Sequence, residues 1–462
     1  MLDPSINWQE RYDAAFIMTL RLRNEDQPGS LAETLSAIGA EGARIGDIHI
    51  VGADSSCKIH DVQVFFTDRD HIRRTLDRLA ETEGVEVTSV TDDVLEIHRG
   101  GAIETHERVP LETVMDLRMV YTPGVASVCN HIAEYPESAW DFTGIGNRIS
   151  IVTNGTAVLG LGDIGPLASL PVMEGKAAIL ARWVGVSADP FLIDSKDPDE
   201  IVEIVAKTAS NYGAIQLEDI AAPACFEIEE KLDARLGIPV FHDDQHGTAT
   251  VCVAGLIRAL ERTGREAEDC RAVVLGAGAA GLAIARFLVD FGVGDVILCD
   301  SRGAIYEGRP EGMNRWKEEL ARVTNRENEK GSLADVMRGK NLFVGVSRPG
   351  LVTKEMIASM EEPIVFALAN PTSEIPTQEA LDAGAVIAVD GRGMNNALAY
   401  PGIFRGALDA RAKKITASMK IAAARTLAAC AEGDDLLPDM FDDAMHRQVA
   451  AAVAAAAEDE RS

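Results

Sequence analysis

The stretch that most restricts how this chain can fold is residues 270–300. Cys270-Arg271-Ala272-Val273-Val274-Leu275 is a short apolar run, as expected of a strand buried on both faces of a parallel sheet. Gly276-Ala277-Gly278-Ala279-Ala280-Gly281 follows at once, Leu282 to Phe291 has helical spacing, and Val296-Ile297-Leu298-Cys299 ends on Asp300. Strand, G-x-G-x-x-G, helix, strand and terminal acid in this order predict a Rossmann-type βαβ unit that binds a dinucleotide. Gly276 permits the tight turn, Gly278 lets the backbone approach a pyrophosphate, and Gly281 lets the helix pack on the strand. Ala279, Ala280 and Gly281 open the helix and offer free N–H groups to the phosphates. Asp300 lies about 20 residues past Gly281, where a carboxylate accepts from ribose hydroxyls. Its charge disfavours a 2′-phosphate, whereas Arg302 would attract one. NAD is therefore the expected cofactor, with NADP the alternative.

The chain has 462 residues, enough for several domains. With 44 Lys+Arg against 73 Asp+Glu, its net charge of −29 argues against nucleic acid or an anionic membrane as partner. Met1-Leu2-Asp3-Pro4 lacks a basic-then-apolar signal, and no long uncharged apolar run predicts a transmembrane helix. The seven cysteines are scattered without a Cys-x-x-Cys pair, which fits reduced thiols in a cytoplasmic enzyme.

Residues 14–97 read as a small domain of their own. Strands are expected from Ala15 to Leu22, Ile45 to Val51, Ile59 to Thr67 and Val85 to Ile97, with helices from Ser30 to Ala40 and Asp70 to Glu83. Ser30 and Glu33 have capping-box spacing. The order β-α-β-β-α-β is ferredoxin-like. Asp26-Gln27-Pro28-Gly29-Ser30-Leu31 resembles the signature of ACT domains, which implies a regulatory module that binds a small-metabolite effector between paired copies. His98-Arg99-Gly100-Gly101 is the expected joint. The rest predicts an α/β substrate- and metal-binding domain over 100–262, a doubly wound NAD(P)-binding domain over 263–394, and Ala-rich helices over 395–462 that pack back on the catalytic domain. Those helices are placed at Ile415 to Ala431 and Asp442 to Glu458.

Two apolar strands end on acidic pairs. Ala214-Ile215-Gln216-Leu217 runs into Glu218-Asp219, and Ile238-Pro239-Val240-Phe241-His242 runs into Asp243-Asp244. Parallel-sheet enzymes do their chemistry at the C-terminal ends of strands, and carboxylates converging there need a cation. Oxygen ligands select a hard divalent ion, Mg²⁺ or Mn²⁺. Two separate exposed turns with helix caps are the plainer alternative. His242 and His246 flank the second pair; Gly247 argues against one helix spanning both, so packing is expected rather than zinc binding. Tyr121 sits on a Pro-Gly turn in Tyr121-Thr122-Pro123-Gly124-Val125, and Lys176 precedes an apolar helix from Ala177 to Val184. A lysine there either snorkels to solvent or, buried beside a metal, becomes a general base.

Together these stretches resemble the malic enzyme family, in its shorter bacterial form with an N-terminal ACT domain. The matching segments are Tyr121 to Val125, Val158-Leu159-Gly160-Leu161-Gly162-Asp163-Ile164-Gly165, Glu174-Gly175-Lys176, Leu217-Glu218-Asp219, Phe241 to Ala249, Gly276 to Gly281, Ala369-Asn370-Pro371-Thr372 and Asn395-Asn396. The resemblance implies oxidative decarboxylation of L-malate to pyruvate and CO₂ with reduction of NAD(P), in a homodimer or larger assembly. It implies Glu218, Asp219 and Asp244 as metal ligands, Lys176 as general base, Tyr121 as general acid, and Asp243 setting the charge of Lys176. Asn370 and Asn396 would hold the substrate carboxylate and the cofactor amide. A malolactic conversion to lactate with retained NAD, or a sensor without turnover, are the competing readings. Larger family members carry an Arg where this chain has Ala157-Val158, and many relatives have Asp-Gly where it has Asn154-Gly155. Another cation must therefore grip malate.

Overall fold

The computed structural model describes residues 16–158, 160–370 and 372–460. The reading of the N-terminus up to Ala15, and Leu159 and Pro371 within the quoted motifs, lie outside the described residues. The chain divides into two compact units, with the boundary between Glu104 and Thr105.

In the first unit β1 (Phe16–Glu25), α1 (Ser30–Ala40), β2 (Arg44–Ala53), β3 (Cys57–Phe66), α2 (Arg69–Ala80) and β4 (Val85–Asp92) follow one another. The sheet order is β2-β3-β1-β4 with antiparallel neighbours, the ferredoxin-like arrangement expected from the sequence. From Leu20 onward β1 alternates buried and exposed residues, as a strand with one face on the core must. Leu20, Leu22, Val62, Val64 and Phe66 on the strands meet Ile38 and Leu79 on the helices. Two local expectations fail. Ser30 does not cap α1: it is the first helical residue, and Gly29 at φ 98° forms the cap, a left-handed conformation that glycine adopts without strain. The last strand stops at Asp92, whose carboxylate takes the N–H groups of Val94 and Leu95 at 3.0 Å and starts the short helix Asp93–Ile97.

The second unit holds two sheets. One has the order β6-β5-β7-β8, all parallel, from β5 (Arg148–Thr153), β6 (Ser187–Leu192), β7 (Ala214–Leu217) and β8 (Val240–His242). The other comprises β9 (Arg271–Leu275), β10 (Asp295–Asp300), β11 (Gly303–Ala304), β12 (Leu342–Gly345), β13 (Ile364–Ala367) and β14 (Ile387–Asp390). Its order is β11-β10-β9-β12-β13-β14, parallel except for the short β11. The order reverses between β9 and β12, which opens the crevice where Rossmann-type sheets bind nucleotides.

Three helices place the site. α3 (Pro166–Val184) and α4 (Asp243–Thr263) run beside the first sheet, and α5 (Ala279–Phe291) follows β9. The successive residues Val251, Cys252, Val253 and Ala254 of α4 are all buried, so the middle of this helix is apolar all round and enclosed by other elements. α6 (Tyr400–Asp409), α7 (Ala417–Cys430) and α8 (Asp443–Asp459) complete the unit, α7 lying on α4 and α8 on α6. Close approach of α6 to α8 needs Gly406, where a Cβ would stand 2.4 Å from the Ala450 carbonyl oxygen. Among the described residues no helix is long and apolar enough to cross a membrane. All seven cysteines are free.

Candidate active site

Strand register brings the two acidic pairs together. In the parallel β7–β8 pair Leu217 stands opposite His242, so Glu218-Asp219 and Asp243-Asp244 leave the sheet side by side. Glu218, Asp219 and Asp244 each offer an oxygen, all within 4.8 Å of one another. The Asp219 backbone N–H donates to Asp244 Oδ2 at 2.9 Å, with Asp219 itself at φ 54°. A left-handed backbone at a residue with a side chain is strained by about 1 kcal/mol or more, a feature that clusters at functional sites. Gln216 Nε2 donates to Glu218 Oε2 at 2.7 Å. His242 Nε2 lies 3.3 Å from Asp244 Oδ2 but off the hydrogen-bonding axis, so that contact is chiefly one of charge.

Lys176 reaches the same place from the middle of α3. It is buried, hydrogen-bonds to Asp243, and lies 3.0 Å from Glu218 Oε1 and 3.3 Å from Asn396 Oδ1. Its Nζ also stands 4.5 Å from the centre of the Tyr400 ring. Gly247 makes room for this. α4 starts at Asp243 and runs through it, and a Cβ there would stand 1.9 Å from Asp243 Oδ1. His242 is the N-cap and only His246 is helical, so the two histidines do not share a helical face.

Burial lifts Glu218 well above the usual carboxylate range, and Asp244, Asp243 and Asp219 push the same way against the pull of Lys176. Burial raises Asp243 as well, opposed by Lys176. For Asp244 the effect of burial is outweighed by His242, with Lys176 and the Asp219 N–H adding to it, and its carboxyl is held below its ordinary value. Burial alone would lower the Lys176 ammonium; Asp243 and Glu218 overcome that and hold it well above its ordinary value. Such a buried, mutually repelling, all-oxygen set fits a hard divalent cation.

The glycines of the second sheet act where expected. Gly276 has φ 114°, and a Cβ there would stand 2.6 Å from the Val346 carbonyl oxygen. A Cβ at Gly281 would meet the Gly276 carbonyl oxygen at 1.7 Å, so only glycine lets α5 lie this close to β9. Gly278 caps α5 facing open space, and Ala279, Ala280 and Gly281 form its first turn. Asp300 ends β10, but it is already engaged. Arg309 Nη2 and Lys317 Nζ each lie 2.8 Å from it, and the Arg302 N–H donates at 2.9 Å. Burial would raise its carboxyl, and these donors bring it below its ordinary value. The guanidinium of Arg302 turns instead to Glu311 at 2.9 Å, so Arg309 and Lys317 are the cations beside Asp300.

Asn370 is exposed just past β13, while Asn396 opens a short 3-10 turn against Lys176. Tyr121 is not brought to the cluster by any hydrogen bond among the described residues. It is 66% exposed and ends the helix Val114–Val120, which buries none of its residues. Sequence reasoning missed Gln216, Tyr400 and Glu229. Glu229 accepts from the His242 N–H at 2.8 Å, from Gln245 Nε2 at 2.9 Å and from His246 Nε2 at 3.0 Å. Nothing in Glu227-Ile228-Glu229-Glu230 sets it apart from its neighbours in sequence.

Residues 101–233 match the family profile described as malic enzyme, N-terminal domain, and residues 245–458 match malic enzyme, NAD binding domain. The chain belongs to the malic enzyme family. This malic enzyme is 43% identical to the NAD-dependent malic enzyme of Geobacillus stearothermophilus, over 96% of this chain and 95% of that protein. It is 48% identical to the bifunctional malic/malolactic enzyme of Bacillus subtilis (strain 168), over 80% of this chain and 93% of the relative. Among solved structures it resembles the NAD-dependent malic enzyme of Thermotoga maritima, with a TM-score of 0.76 and 41% identity over 79% of this chain and 99% of that one. The malic enzyme of Pyrococcus horikoshii gives a TM-score of 0.77 at 40% identity, over 80% and 90% of the two chains.

Proposed function

We propose that this malic enzyme oxidatively decarboxylates L-malate to pyruvate and CO₂ with reduction of NAD, using Mg²⁺ or Mn²⁺. The observation that carries the reading is the buried Lys176, in contact with Asp243 and Glu218 at the edge of the Glu218–Asp219–Asp244 triad. Those three carboxylates would hold the ion. When bound, it would polarise the C2 oxygen of the substrate and offset the negative charge that keeps Lys176 protonated. Lys176 would then take the C2 hydroxyl proton as hydride leaves C2 for the nicotinamide, with Asp243 holding its Nζ in place. The resulting β-keto acid loses its C4 carboxyl as CO₂, and Tyr121 would return a proton to C3. Asn370 and Asn396 would orient the substrate carboxylate and the nicotinamide amide, and Gly276, Gly278 and the first turn of α5 would seat the pyrophosphate.

Asp300 supports NAD, since a carboxylate suits free ribose hydroxyls. Arg309 and Lys317 offset its charge, so NADP meets less repulsion than Asp300 alone would impose. The same reading assigns residues 14–97 to an ACT-like regulatory domain that takes a small-metabolite effector. Residues 100–262 and 263–394 then serve as malate/metal and NAD(P) domains, with 395–462 as closing helices, in a cytoplasmic homo-oligomer. Exposed apolar residues support the assembly: Val114, Met115, Leu117, Met119 and Val120 lie together before Tyr121, a surface suited to a second copy of the chain.

The test is nicotinamide reduction by purified protein with L-malate and Mn²⁺, comparing NAD with NADP and quantifying pyruvate and lactate. Pyruvate in step with NADH is expected. The bifunctional relative favours one second reading, the malolactic one, which would show as lactate without net reduction.

A further inference from the structure

A second polar cluster lies on the far side of Glu229 from the acidic pair. His246 donates from Nε2 to Glu229, so its Nδ1 is an acceptor, and it takes a hydrogen bond from Lys420 Nζ at 3.2 Å. Lys420 comes from α7, and its ammonium forms no ion pair with a carboxylate among the described residues. Burial lowers it from its ordinary value. It lines a partly open cavity of about 280 Å³ between α4, α5, α7 and the helices Ala224–Arg235 and Arg315–Ala321, near the lower end of small-molecule pockets, which begin at roughly 300 Å³. The walls are apolar and partly aromatic: Phe226, Ala249, Leu282, Phe287, Trp316 and Leu320. Phe226 and Trp316 lie 5.1 Å apart between ring centres, and Lys420 Nζ stands 5.8 Å from the Phe287 ring. The other charges lie at the rim, where Arg286 is paired with Asp290 at 3.1 Å and Glu319 is exposed.

A half-buried ammonium whose hydrogen bond goes to a neutral acceptor still has donors to place, and the two carboxylates that act on it, Glu229 and Asp290, are held by His246 and Arg286. The malate chemistry proposed above uses none of these residues. From the apolar walls and the Lys420 ammonium, which unlike Arg286 forms no ion pair with a carboxylate among the described residues, we propose that this cavity binds a small organic monocarboxylate with an aromatic or branched apolar body. Its carboxylate would lie on Lys420 and its body against Trp316 and Phe226. Glu229 joins the cavity to the catalytic side, because the same carboxylate takes the His242 N–H next to Asp243.

The test uses benzoate as probe and benzylamine as its charge-reversed control. Each is titrated into the full-length protein saturated with NAD and free of divalent metal, followed by calorimetry and tryptophan fluorescence. Saturable benzoate binding is expected, with benzylamine at least tenfold weaker. Lys420→Gln should weaken benzoate about tenfold or more, the loss of a hydrogen bond to a charged group. Ala283→Leu, which fills the cavity and keeps Lys420, should weaken it comparably if its melting temperature matches the parent. Trp316→Phe should remove most of the fluorescence change while leaving the calorimetric signal. Equal affinity for benzylamine, unsaturable benzoate uptake, or binding unchanged in both Lys420→Gln and Ala283→Leu would overturn the proposal.

Discussion

The backbone N–H of Asp219 donates to the carboxylate of Asp244 across 2.9 Å, tying together the ends of two neighbouring parallel strands. Asp219 itself has a left-handed backbone, and its carboxylate, that of Asp244 and that of Glu218 each offer an oxygen within 4.8 Å of the others. Asp244→Asn keeps an acceptor for that N–H and removes one charge. Malate oxidation should fall by about a thousandfold, while NAD affinity by calorimetry and the melting temperature change little. Turnover near the parent level would remove Asp244 from the metal site.

Gly247 lies inside a helix, where replacing glycine by alanine ordinarily stabilises by about 1 kcal/mol. Here the added Cβ would meet Asp243 Oδ1 at 1.9 Å. Gly247→Ala should therefore destabilise by about 1–3 kcal/mol through overpacking. It should also lower kcat, because Asp243 must move off Lys176. A melting temperature above the parent's would show that Asp243 has room to shift.

Glu229 should shape the acid limb of stability. Burial opposes its ionisation, but His246 and His242 bring it from 4.5 down to about 2. The His242 N–H and the Gln245 side chain donate at every pH, and the imidazoles add their charge in acid. A depressed carboxyl contributes stability that is present above its unfolded value and is lost as pH falls through its folded one. That contribution, up to roughly 3 kcal/mol, should fade from about pH 4.5 toward pH 2. Melting temperature against pH should fall more steeply in this range for the parent than for Glu229→Gln; parallel curves would exclude Glu229 as a cause.

Tyr121 is exposed at the end of the helix Val114–Val120, which carries five exposed apolar residues and none that is buried among the described residues. If a second copy covers that helix, Tyr121 serves the partner's site. Tyr121→Phe and Lys176→Ala should each lose at least about a hundredfold in malate oxidation, as expected for a general acid and a general base. Mixed by refolding or co-expression, they should regain activity, approaching about a quarter of the parent's if a two-fold dimer forms at random. No recovery in a verified mixed assembly would place Tyr121 in the site of its own chain.

Asp300 should set the cofactor preference, although two cations hold it. Asp300→Ala should weaken NAD about tenfold in kcat/KM, since a hydrogen bond to a charged acceptor is lost, and should narrow the gap to NADP. Lys317→Ala should affect NADP more than NAD. Equal effects on both cofactors would show that Lys317 only supports Asp300.

Wherever chemistry follows from neighbours in the chain, it was legible in the sequence. The run from Arg271 to Asp300 determined its strand, glycine turn and helix, because tight turns and close packing admit only glycine at Gly276 and Gly281. The ferredoxin-like order of the first unit followed from strand and helix periodicity, and the acidic pairs from their place at strand ends. Tertiary structure decided the rest. Only the β7–β8 register shows that Glu218-Asp219 and Asp243-Asp244 meet, and only the course of α3 and α6 puts Lys176 between Asp243 and the Tyr400 ring. Gly247 weighs in one dimension against one helix over both histidines, and in three it is space for a carboxylate. Arg302 is nearer Asp300 in sequence, yet Arg309 and Lys317 reach it. The reason is physical: propensity and turn chemistry act between residues a few positions apart, whereas charge and steric fit act through space, across contacts that only the folded chain creates.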